Sequence, residues 1–427
     1  AQASGQVWRA AHSRYAGEIM REPCVVTASE DGTAKVWTFD EKDVQFAADL
    51  TCGRDSTNAW EGHTAGITSV SVAPHDPSQI LTSSKDSFAK IWNAVDGSCK
   101  FTLEGSTASP SRTPRRDEHH HEGSQAHHLP GHTDFINAAT WSKTLVDGGR
   151  KIVTVGDDRQ VCVWDAVSGA LRGNLHGAGA NSGAHRGPVS MAQFNQLPEQ
   201  RHIVTCSHDM TCAVWDVVSM RFQKSFSANP DRPENHTGAI WSAYFSSNDE
   251  LILTASKDSS VKVWDVRTGR CSTLLGHTDA VLHAMFNPAD SNQVLSCSMD
   301  NTARLWDLRA NTATSVLSHH KACVWSAVFA NDPKCFLTSS HDMTAHVYDQ
   351  RLQLPKNALG GHTGILWGAS FSPGDRWVVT CSEDTTARIW NLQTGERRAP
   401  CHILRKGPHG HSDAVTCAAF GGCWDFA

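Results

Sequence analysis

The stretch Ser256–Val281 reads SKDSSVKVWDVRTGRCSTLLGHTDAV and combines Lys, Asp, Arg and His with an apolar run, VKVW. Its aspartate, Asp258, is followed after 42 residues by Asp300, and the surrounding segments SKDSSVKVWD and SMDNTARLWD are similar. Asp342 and Asp384 continue the series at the same spacing. Because these polar residues recur with a fixed period, they belong to a repeated structural unit and not to a single catalytic centre.

The same pattern occurs four more times toward the N terminus, around Asp31, Asp86, Asp158 and Asp209. Eight copies of about 40–45 residues, with Gly-His early and Trp-Asp late, resemble the WD-repeat (tryptophan-aspartate repeat) family. The resemblance covers nearly the whole chain, residues 1–427. It implies an all-β fold, a single closed β-propeller made of four-stranded antiparallel blades.

The strand pattern of one repeat agrees with this fold. AIWSAYF, LILTAS, VKVWDV and RCSTLL are four short runs rich in β-branched or aromatic residues, and the segments SSNDE, KDSS and RTG between them are typical of turns. Four antiparallel strands make one blade, and blades packed in a ring leave few exposed strand edges.

A Ser or Thr, the Asp and a Trp or Tyr keep the same offsets in each repeat, and a His precedes the Asp by 22 to 26 residues in every repeat but the first. The resemblance implies that these four residues form a hydrogen-bonded chain from Asp to His to Ser/Thr to Trp. A buried carboxylate needs such bonds, and a His ring can bridge a donor and an acceptor. Because the set occurs in every repeat, we interpret it as structural and not as a Ser-His-Asp hydrolase site. Three of these tetrads are His236, Thr254, Asp258 and Trp264; His277, Ser296, Asp300 and Trp306; and His362, Thr380, Asp384 and Trp390.

Closure of the ring is open at the level of the sequence. GQVWRAAH (Gly5–His12) and GHSDAVTCAAF (Gly410–Phe420) both fit the inner strand of the first blade. If the C-terminal segment takes this place, His411 supplies the His that the first repeat lacks. We expect eight blades, with a seven-bladed ring of the second to eighth repeats as the alternative.

The largest insertion, residues 104–130, separates the second and third repeats. It is rich in His, Ser and Pro and low in apolar residues, so it cannot bury a core and is interpreted as a solvated loop. Its histidines (His119, His120, His121, His127 and His128) show no fixed ligand spacing, so no metal site is predicted. A docking peptide for a partner is the other interpretation of this segment.

Composition narrows the class of protein. The net charge of −6 argues against a general nucleic-acid binder, and the absence of an 18-residue apolar run argues against membrane insertion. The 14 Cys contain no C-x-x-C pair, which favours reduced thiols in a cytosolic compartment. No signal peptide is recognised, and the first residue is Ala1, so completeness is left open. We predict a cytoplasmic protein, with cytoskeletal, ciliary or nuclear placement as further options.

The variable positions of the repeats carry the functional prediction. The resemblance places three positions per repeat on the top face: the third and fifth residues after the His, and the residue before the Asp. The fifth position is Trp or Leu in the later repeats and Thr, Asn or Ser in repeats two to four. An exposed aromatic patch is typical of a protein-binding site. The alternative interpretation is that these Trp side chains fill the central channel. The candidate partner-binding residues are Trp8, Trp241, Leu282, Met299, Trp325, Ile365 and Trp367.

A second candidate surface comes from the W-D-x-R motifs. Arg267 in WDVR and Arg309 in WDLR occupy equivalent positions of adjacent repeats. Paired motifs of this kind are similar to those of substrate receptors of cullin-type ubiquitin ligases, and this role is the alternative function.

Catalytic motifs are not found outside the repeats: the chain has no P-loop, no nucleotide-binding glycine motif between a strand and a helix, and no nucleophile elbow. We therefore predict a non-catalytic scaffold without cofactor, metal or small-molecule substrate. Its expected partners are other proteins of a multisubunit assembly, such as a cytoskeletal, ciliary, trafficking or RNA-processing complex.

Overall fold

The computed structural model describes residues 23–40, 43–50, 62–104, 131–175, 185–226, 234–352, 354–393, 402–404 and 409–421. These residues form 32 β-strands arranged in eight four-stranded antiparallel sheets. Each sheet is one blade, and the blades are numbered here by the order of their tetrad aspartates.

Blades 1 to 4 contain the first fifteen strands and the last one. Blade 1 consists of β1 (Cys24–Ser29), β2 (Ala34–Phe39), β3 (Val44–Asp49) and β32 (Val415–Gly421). Blade 2 consists of β4 (Ile67–Val72), β5 (Gln79–Ser84), β6 (Ala89–Asn93) and β7 (Cys99–Leu103). Blade 3 consists of β8 (Ile136–Trp141), β9 (Lys151–Gly156), β10 (Val161–Asp165) and β11 (Leu171–Asn174). Blade 4 consists of β12 (Val189–Phe194), β13 (His202–Ser207), β14 (Cys212–Asp216) and β15 (Arg221–Phe226).

Blades 5 to 8 follow without a change in strand order. Blade 5 consists of β16 (Ile240–Phe245), β17 (Leu251–Ser256), β18 (Val261–Asp265) and β19 (Cys271–Leu274). Blade 6 consists of β20 (Val281–Asn287), β21 (Asp290–Ser298), β22 (Ala303–Asp307) and β23 (Thr312–Leu317). Blade 7 consists of β24 (Val324–Phe329), β25 (Cys335–Ser340), β26 (Thr344–Asp349) and β27 (Pro355–Gly360). Blade 8 consists of β28 (Leu366–Phe371), β29 (Trp377–Ser382), β30 (Ala387–Asn391) and β31 (His402–Leu404).

The inner strands close a ring. Each of β32, β4, β8, β12, β16, β20, β24 and β28 lies beside the inner strands of the preceding and following blades. We call the end where these strands begin the top face; the antiparallel register places the end of each second strand, and the turn with the tetrad Asp, at the same end. The opposite end, with the turns between strands one and two and between strands three and four, is the bottom face.

The C-terminal segment is the inner strand of blade 1. Strand β32 pairs with β1 from Cys24↔Gly421 to Ser29↔Val415. The expectation of eight blades is therefore confirmed, and the seven-bladed alternative is wrong. The competing segment Gly5–His12 lies outside the described residues, as do residues 105–130 of the His-rich insertion.

The hydrophobic core lies between blades. Eight clusters of buried side chains are present, and each combines residues of two neighbouring blades. In one of them Val204 and Phe226 of blade 4 pack against Ile240 and Trp264 of blade 5. Each blade therefore depends on both neighbouring blades to bury its two faces.

Candidate protein interaction surface

The tetrads form the predicted hydrogen-bonded chain. In blade 5, His236 Nδ1 lies 2.7 Å from Asp258 Oδ2, and His236 Nε2 lies 2.8 Å from Thr254 Oγ1. The indole Nε1 of Trp264 donates to the same Thr254 oxygen at 2.9 Å. The consistent assignment is that His236 donates from Nδ1 to the carboxylate and accepts the Thr254 hydroxyl proton at Nε2.

Two further tetrads named from the sequence repeat this geometry. In blade 6 the bonds from His277 to Asp300 and to Ser296 are both 2.8 Å, and Trp306 donates to Ser296 at 2.8 Å. In blade 8 the equivalent distances, among His362, Asp384, Thr380 and Trp390, are 2.8, 2.8 and 3.0 Å.

Blade 1 assembles its tetrad from both ends of the described chain. His411 Nε2 lies 2.8 Å from Thr27 Oγ1, and Trp37 donates to the same oxygen at 2.9 Å. His411 Nδ1 contacts Thr33 Oγ1 at 2.8 Å and lies 3.6 Å from Asp31. His411 thus supplies the histidine that the first repeat lacks.

Each tetrad carboxylate holds a strained turn. The residue after the Asp has a positive φ in all eight blades, between 67° and 78°, and only in blade 1 is it glycine, Gly32. In blade 5, Asp258 Oδ1 accepts the Ser260 amide at 2.9 Å and its hydroxyl at 2.6 Å, while Oδ2 accepts His236 and the Thr237 amide. These bonds compensate the cost of a left-handed residue such as Ser259.

The charge states agree with a structural role. Burial raises the pKa of Asp258, but the hydrogen bonds from His236, Ser260 and the backbone outweigh it, so the pKa lies well below its ordinary value. Burial lowers the pKa of His236 despite its bond to Asp258. The pair is therefore an ionised carboxylate and a neutral imidazole in which every lone pair and proton is used within the blade, leaving none to act on a substrate.

A backbone hydrogen bond joins two of the three predicted top-face positions. In each blade, the amide of the residue before the tetrad Asp donates to the carbonyl of the third residue after the His. In blade 5 this is Lys257 to Ala239 at 2.8 Å, and in blade 6 it is Met299 to Ala280 at 2.9 Å. The bond fixes the spacing of these two residues in every blade, whereas their residue types differ between blades. We call the two residues of each blade its top-face frame.

The third position, five residues after the His, is a β-bulge in all eight blades. Pairing between the inner and second strands skips one residue, for example between Ile240 and Ser242, and the skipped residue is Trp241. A bulge re-aims its side chain away from the regular alternation of the strand. The bulge residues in ring order are Thr416, Thr68, Asn137, Ser190, Trp241, Leu282, Trp325 and Trp367.

In blades 1 to 4 the bulge side chain bonds to the next blade. Thr416 donates to the carbonyl of Ile67 at 2.8 Å, and Thr68 donates to that of Ile136 at 2.6 Å. Asn137 and Ser190 continue the series, to Val189 at 3.0 Å and to Ile240 at 3.1 Å. We call these four residues the polar arc; they connect successive inner strands.

In blades 5 to 8 the bulge residues are Trp241, Leu282, Trp325 and Trp367, which we call the aromatic arc. All four are half-buried. The rings of Trp325 and Trp367 meet edge to face at 5.2 Å, and His341 stacks on Trp325 at 5.1 Å. The sequence did not place His341 in this cluster; its position before a tetrad Asp was the available signal.

The remaining candidates lie around this arc. Met299 is exposed and Ile365 is half-exposed, and each belongs to the top-face frame of its blade. At the start of the arc, His208 of blade 4 contacts Trp241 edge to face at 4.8 Å. Trp8 lies outside the described residues, and the bulge of blade 1 is occupied by Thr416.

A partly buried bridge across the aromatic half was not anticipated from the sequence. The hydroxyl of Tyr244 in blade 5 lies 2.9 Å from His283 Nε2 in blade 6, and His283 Nδ1 lies 3.0 Å from the Ala327 carbonyl in blade 7. Since Nδ1 must donate to the carbonyl, Nε2 accepts the Tyr244 proton. Burial lowers the pKa of His283 to about 4, which keeps this ring neutral near pH 7.

The W-D-x-R arginines lie on the bottom face. Arg267 and Arg309 are both exposed and follow the third strands of blades 5 and 6. Arg309 approaches Asp290 at 3.7 Å, so it is held only by a weak surface pair. The two arginines and the aromatic arc thus occupy opposite faces of the same half of the ring.

The described residues contain no cluster of three His, Cys, Asp or Glu side chains arranged to hold a metal ion. In the same part of the chain, no helix is long and apolar enough to cross a membrane. The histidines of the 104–130 insertion lie outside the described residues.

Fold and site together define a closed eight-bladed propeller whose repeated polar residues stabilise its blades and whose variable residues lie on its faces. The sequence profile of the "WD domain, G-beta repeat" matches seven segments: residues 51–93, 123–165, 182–216, 231–265, 269–307, 311–349 and 353–391. The chain belongs to the WD-repeat family.

Curated relatives share this repeat at low identity. A "Ribosome biogenesis protein WDR12 homolog" from Ixodes scapularis is 24% identical over 273 residues, covering 62% of this chain and 57% of that protein. The homolog from Drosophila virilis is 27% identical over 261 residues, covering 60% and 53%. A "Guanine nucleotide-binding protein subunit beta" from Zea mays is 25% identical over 245 residues, covering 56% and 54%. The chain thus spans about half the length of the curated relatives it matches.

Proposed function

We propose that the chain is a non-catalytic interaction scaffold that binds a partner peptide or helix through the aromatic arc on its top face. The observation that carries this proposal is the change of use at one backbone position. Blades 1 to 4 use the bulge side chain to bond the next blade, whereas blades 5 to 8 place a large apolar side chain there and leave part of it exposed.

The arc has the properties of a binding hot spot. Trp325 and Trp367 are held against each other and against His341, so little side-chain freedom remains to be lost when a partner binds. Trp is also the residue type most enriched at hot spots. Lys257 and Glu383, at the frame positions of blades 5 and 8, place opposite charges at the two ends of the arc and would orient a charged partner.

Binding assays on a triple variant test this proposal. Trp241→Ala/Trp325→Ala/Trp367→Ala and the wild type are used as baits in native lysate, with mass spectrometry of the bound proteins. We expect the variant to lose a defined set of partners, since truncating a hot-spot residue costs about 2–4 kcal/mol of binding free energy.

The matched control changes the polar arc at the equivalent bulges, Thr68→Ala/Asn137→Ala/Ser190→Ala. This control should keep the partners. Thermal melts of both variants separate binding from folding: partner loss in a variant that melts like the wild type supports the proposal. A triple-Trp variant that melts early would identify these tryptophans as channel core, and one that melts normally and keeps every partner would reject the arc as the binding surface.

The similarity to ribosome biogenesis proteins and to a G-protein β subunit supports a role inside a multiprotein assembly. We infer ribosome assembly as the first assembly to test, by asking whether the chain co-sediments with preribosomal particles on sucrose gradients. A wild-type chain that is found only in the light fractions, away from the preribosomal particles, would reject this assignment. A preribosomal role would favour the nuclear option of the sequence prediction over the cytoplasmic one.

The ubiquitin-ligase receptor remains the alternative function. It is supported by the exposure of Arg267 and Arg309 at equivalent positions of neighbouring blades. Arg267→Ala/Arg309→Ala should abolish binding to a cullin adaptor while the triple-Trp variant keeps it. An adaptor that binds neither wild type nor variant would remove this alternative.

A further inference from the structure

We propose that the outer strand of blade 6, β23, pairs with an extended segment of a partner protein that carries a carboxylate beside Arg304. Strand β23 (Thr312–Leu317) is the fourth strand of its blade, so it lies on the circumference of the ring. Three properties support this proposal: a free backbone edge, a strand without the usual protection against pairing, and a positive charge without an acceptor. The surface is separate from the aromatic arc on the top face.

The outward backbone groups of β23 are free to pair. The amide of Ser298 donates to the carbonyl of Thr302 at 3.1 Å, and backbone bonding alternates along an antiparallel ladder, so Arg304 bonds to its partner Ser296 in β21. Arg304 therefore does not bond to Val316, its partner in β23, and the N–H and C=O of Val316 point away from the blade. No described residue bonds to these two groups. The edge thus offers a donor and an acceptor to an added strand.

The sequence of β23 lacks the usual protection of an edge strand. TATSVL contains no charged residue and no Pro. The outer strands β3, β7, β11, β15 and β27 each contain a charged residue, and β27 also begins with Pro355. Strands β19 and β31 are uncharged but have only four and three residues, and shortness is itself a protection. Among the outer strands that the structure describes, only β23 is both six residues long and uncharged.

Other blades provide an acceptor for a cation in the middle of the third strand. In blade 1, Lys35 donates to Asp49, its cross-strand partner in β3, at 3.1 Å. In blades 2 and 5 the equivalent lysines donate to their cross-strand partners, Thr102 at 3.0 Å and Thr273 at 3.2 Å. The outer strand thus satisfies the cation in these three blades.

Blade 6 has the cation but not the acceptor. Its cation is Arg304, and the cross-strand partner Val316 has no polar side-chain atom. The guanidinium lies over the Trp306 ring at 5.9 Å, and its Nε is buried without a hydrogen-bond partner among the described residues. Arg304 also forms no ion pair in this part of the chain, whereas the equivalent Arg388 of blade 8 lies 3.6 Å from Asp384. A positive charge beside a free strand edge favours a carboxylate on the added strand.

Apolar side chains surround this charge. Val316 is 50% exposed, and Leu275, in the connection from blade 5, is 75% exposed. The residue after Leu275 is Gly276, which packs closely against the Arg304 guanidinium and the Trp306 ring. A β-bulge at the middle of β23 interrupts its ladder with β22, so the regular part of the edge is 315–317, next to this group. The added strand should therefore combine β-branched residues with one acidic residue opposite Val316.

A partner segment fits this edge better than a second copy of the chain. Twofold pairing of two β23 strands would bring no carboxylate to Arg304, because TATSVL has none. Such a contact would also involve few residues, whereas a stable dimer uses about 20–30 residues a side. A helix would leave the outward N–H and C=O of Val316 unpaired. An extended acidic segment satisfies both the edge and the charge.

Selection from a library of displayed peptides tests the proposal. The probe is a phage-displayed library of linear ten-residue peptides, selected on the wild-type chain and counter-selected on Val316→Pro. Proline at this position removes an outward N–H and no backbone bond within the blade. We expect enriched peptides with alternating Val, Ile or Thr and one Asp or Glu at a fixed position. As synthetic peptides they should bind the wild type at least tenfold more tightly than Val316→Pro.

The matched control makes the same change on another blade. Ala358 is exposed and is the cross-strand partner of His346 in blade 7, the position equivalent to Val316. Ala358→Pro should bind the peptides like the wild type. The triple-Trp variant of the aromatic arc should also bind them like the wild type, so failure of the arc as a binding surface leaves this test unaffected.

Two variants test the charge. Arg304→Leu should bind the acidic peptides at least fivefold more weakly, and replacing the peptide's Asp or Glu by Asn or Gln should weaken binding to the wild type but not to this variant. Val316→Asp places a carboxylate where blade 1 has Asp49. It should exclude the acidic peptides, and it should change the urea midpoint more favourably in the wild-type background than in Arg304→Leu. If Val316→Pro does not fold, Val316→Asp serves as the counter-target.

Several outcomes would overturn the proposal. These are enrichment of peptides without a carboxylate, equal binding by Val316→Pro or Val316→Asp, and no enrichment over the counter-target. A wild-type dimer in sedimentation that Val316→Pro converts to a monomer would assign the edge to a second copy instead. Thermal melts establish that each variant is folded before its binding is compared.

Discussion

The two halves of the ring use the same backbone device differently. In blades 1 to 4 the bulge carries a small polar side chain that donates to the next inner strand, as Thr68 does to Ile136 at 2.6 Å. In blades 5 to 8 it carries Trp or Leu, and the indole nitrogens of Trp241 and Trp367 are buried without a hydrogen-bond partner among the described residues. Blades 1 to 4 thus use this position to bond neighbouring blades, whereas blades 5 to 8 use it to present apolar side chains.

The aromatic half is connected by other means. The bridge from Tyr244 through His283 to Ala327 spans blades 5 to 7, and it lies on the inner strands. Between blades 8 and 1, the Cys381 thiol contacts the Thr416 carbonyl at 3.5 Å. Blades 5 to 7, and blades 8 and 1, are thus connected by side chains other than those of their own bulge residues.

The largest effect should come from what both halves share. Asp209→Ala in blade 4 and Asp258→Ala in blade 5 each remove a buried carboxylate that accepts bonds from a His and from the turn. We expect each to lower the free energy of unfolding by about 3 kcal/mol, because several buried donors lose their acceptor at once. Urea denaturation measures this.

Similar losses in the two variants would show that the tetrads stabilise both halves to the same extent. The matched control is exposed Asp279→Ala, which leaves all tetrads intact and should change stability by less than about 0.5 kcal/mol. A loss of unfolding free energy below about 1 kcal/mol in either variant would contradict the prediction that the tetrads stabilise both halves.

The next effect concerns the bridge of the aromatic half and depends on pH. Burial lowers the pKa of His283 to about 4, below the ordinary value near 6.5, so the unfolded state binds more protons between these values. The contribution of His283 to stability is therefore complete above about pH 6.5 and is lost as the pH falls toward 4. The buried His236, His277 and His362 have lowered pKa values too and act in the same direction.

His283→Gln isolates this bridge because Gln does not titrate. At pH 7.5 the variant should be less stable than the wild type by about 1–2 kcal/mol, since Gln reproduces the two bonds imperfectly. Between pH 6.5 and 4 the difference should shrink, as only the wild type loses the His283 contribution. Urea midpoints across this range measure it, and a constant difference would refute the assignment.

A smaller effect is expected from the polar arc. Thr68→Val and Thr416→Val keep the side-chain shape and remove only the hydroxyl that donates to the next blade. Each should cost about 1 kcal/mol of unfolding free energy, the ordinary net value of a hydrogen bond. The control Thr278→Val changes an exposed Thr next to a tetrad His and should be neutral. If the bulge variants are equally neutral, the bond between blades contributes nothing and the contrast between the arcs lies in surface alone.

The repeat made most of this architecture predictable. The repeat has Ser or Thr, Asp and Trp or Tyr at fixed offsets, and its last four copies are spaced by 42 residues. It predicts the blades, the tetrads and the top-face positions, because each of these is local to one repeat. The interblade bonds were not predictable. Thr68 donates to a backbone carbonyl of another blade, and a carbonyl has no residue type by which a sequence pattern can reveal it.

Ring closure was ambiguous for a related reason. Gly5–His12 and Gly410–Phe420 carry the same inner-strand pattern, and the choice depends on which one presents a His to Thr27. Only the three-dimensional contact of His411 with Thr27 decides it. The consequence for the site is direct, since blade 1 contributes Thr416 to the polar arc where the sequence had offered Trp8.

The smallest expected effect compares the same turn at the seam between the halves. After the tetrad Asp, blade 1 has Gly32 with a φ of 78°, which costs glycine nothing, whereas blade 8 has Thr385 with a φ of 67°. A β-branched residue is strained in this conformation, and Asn tolerates it better; blade 6 has Asn301 at this position with the same φ. Thr385→Asn should therefore raise the free energy of unfolding by about 0.5–1 kcal/mol. The reverse change in blade 6, Asn301→Thr, should lower it by a similar amount, and urea denaturation of both variants measures the pair.

Because Thr385 lies in the top-face turn beside Glu383, partner binding by Thr385→Asn should remain as in the wild type if the arc binds through its bulge residues. A stabilised variant that loses its partners would instead place the contact on the turns of the frame.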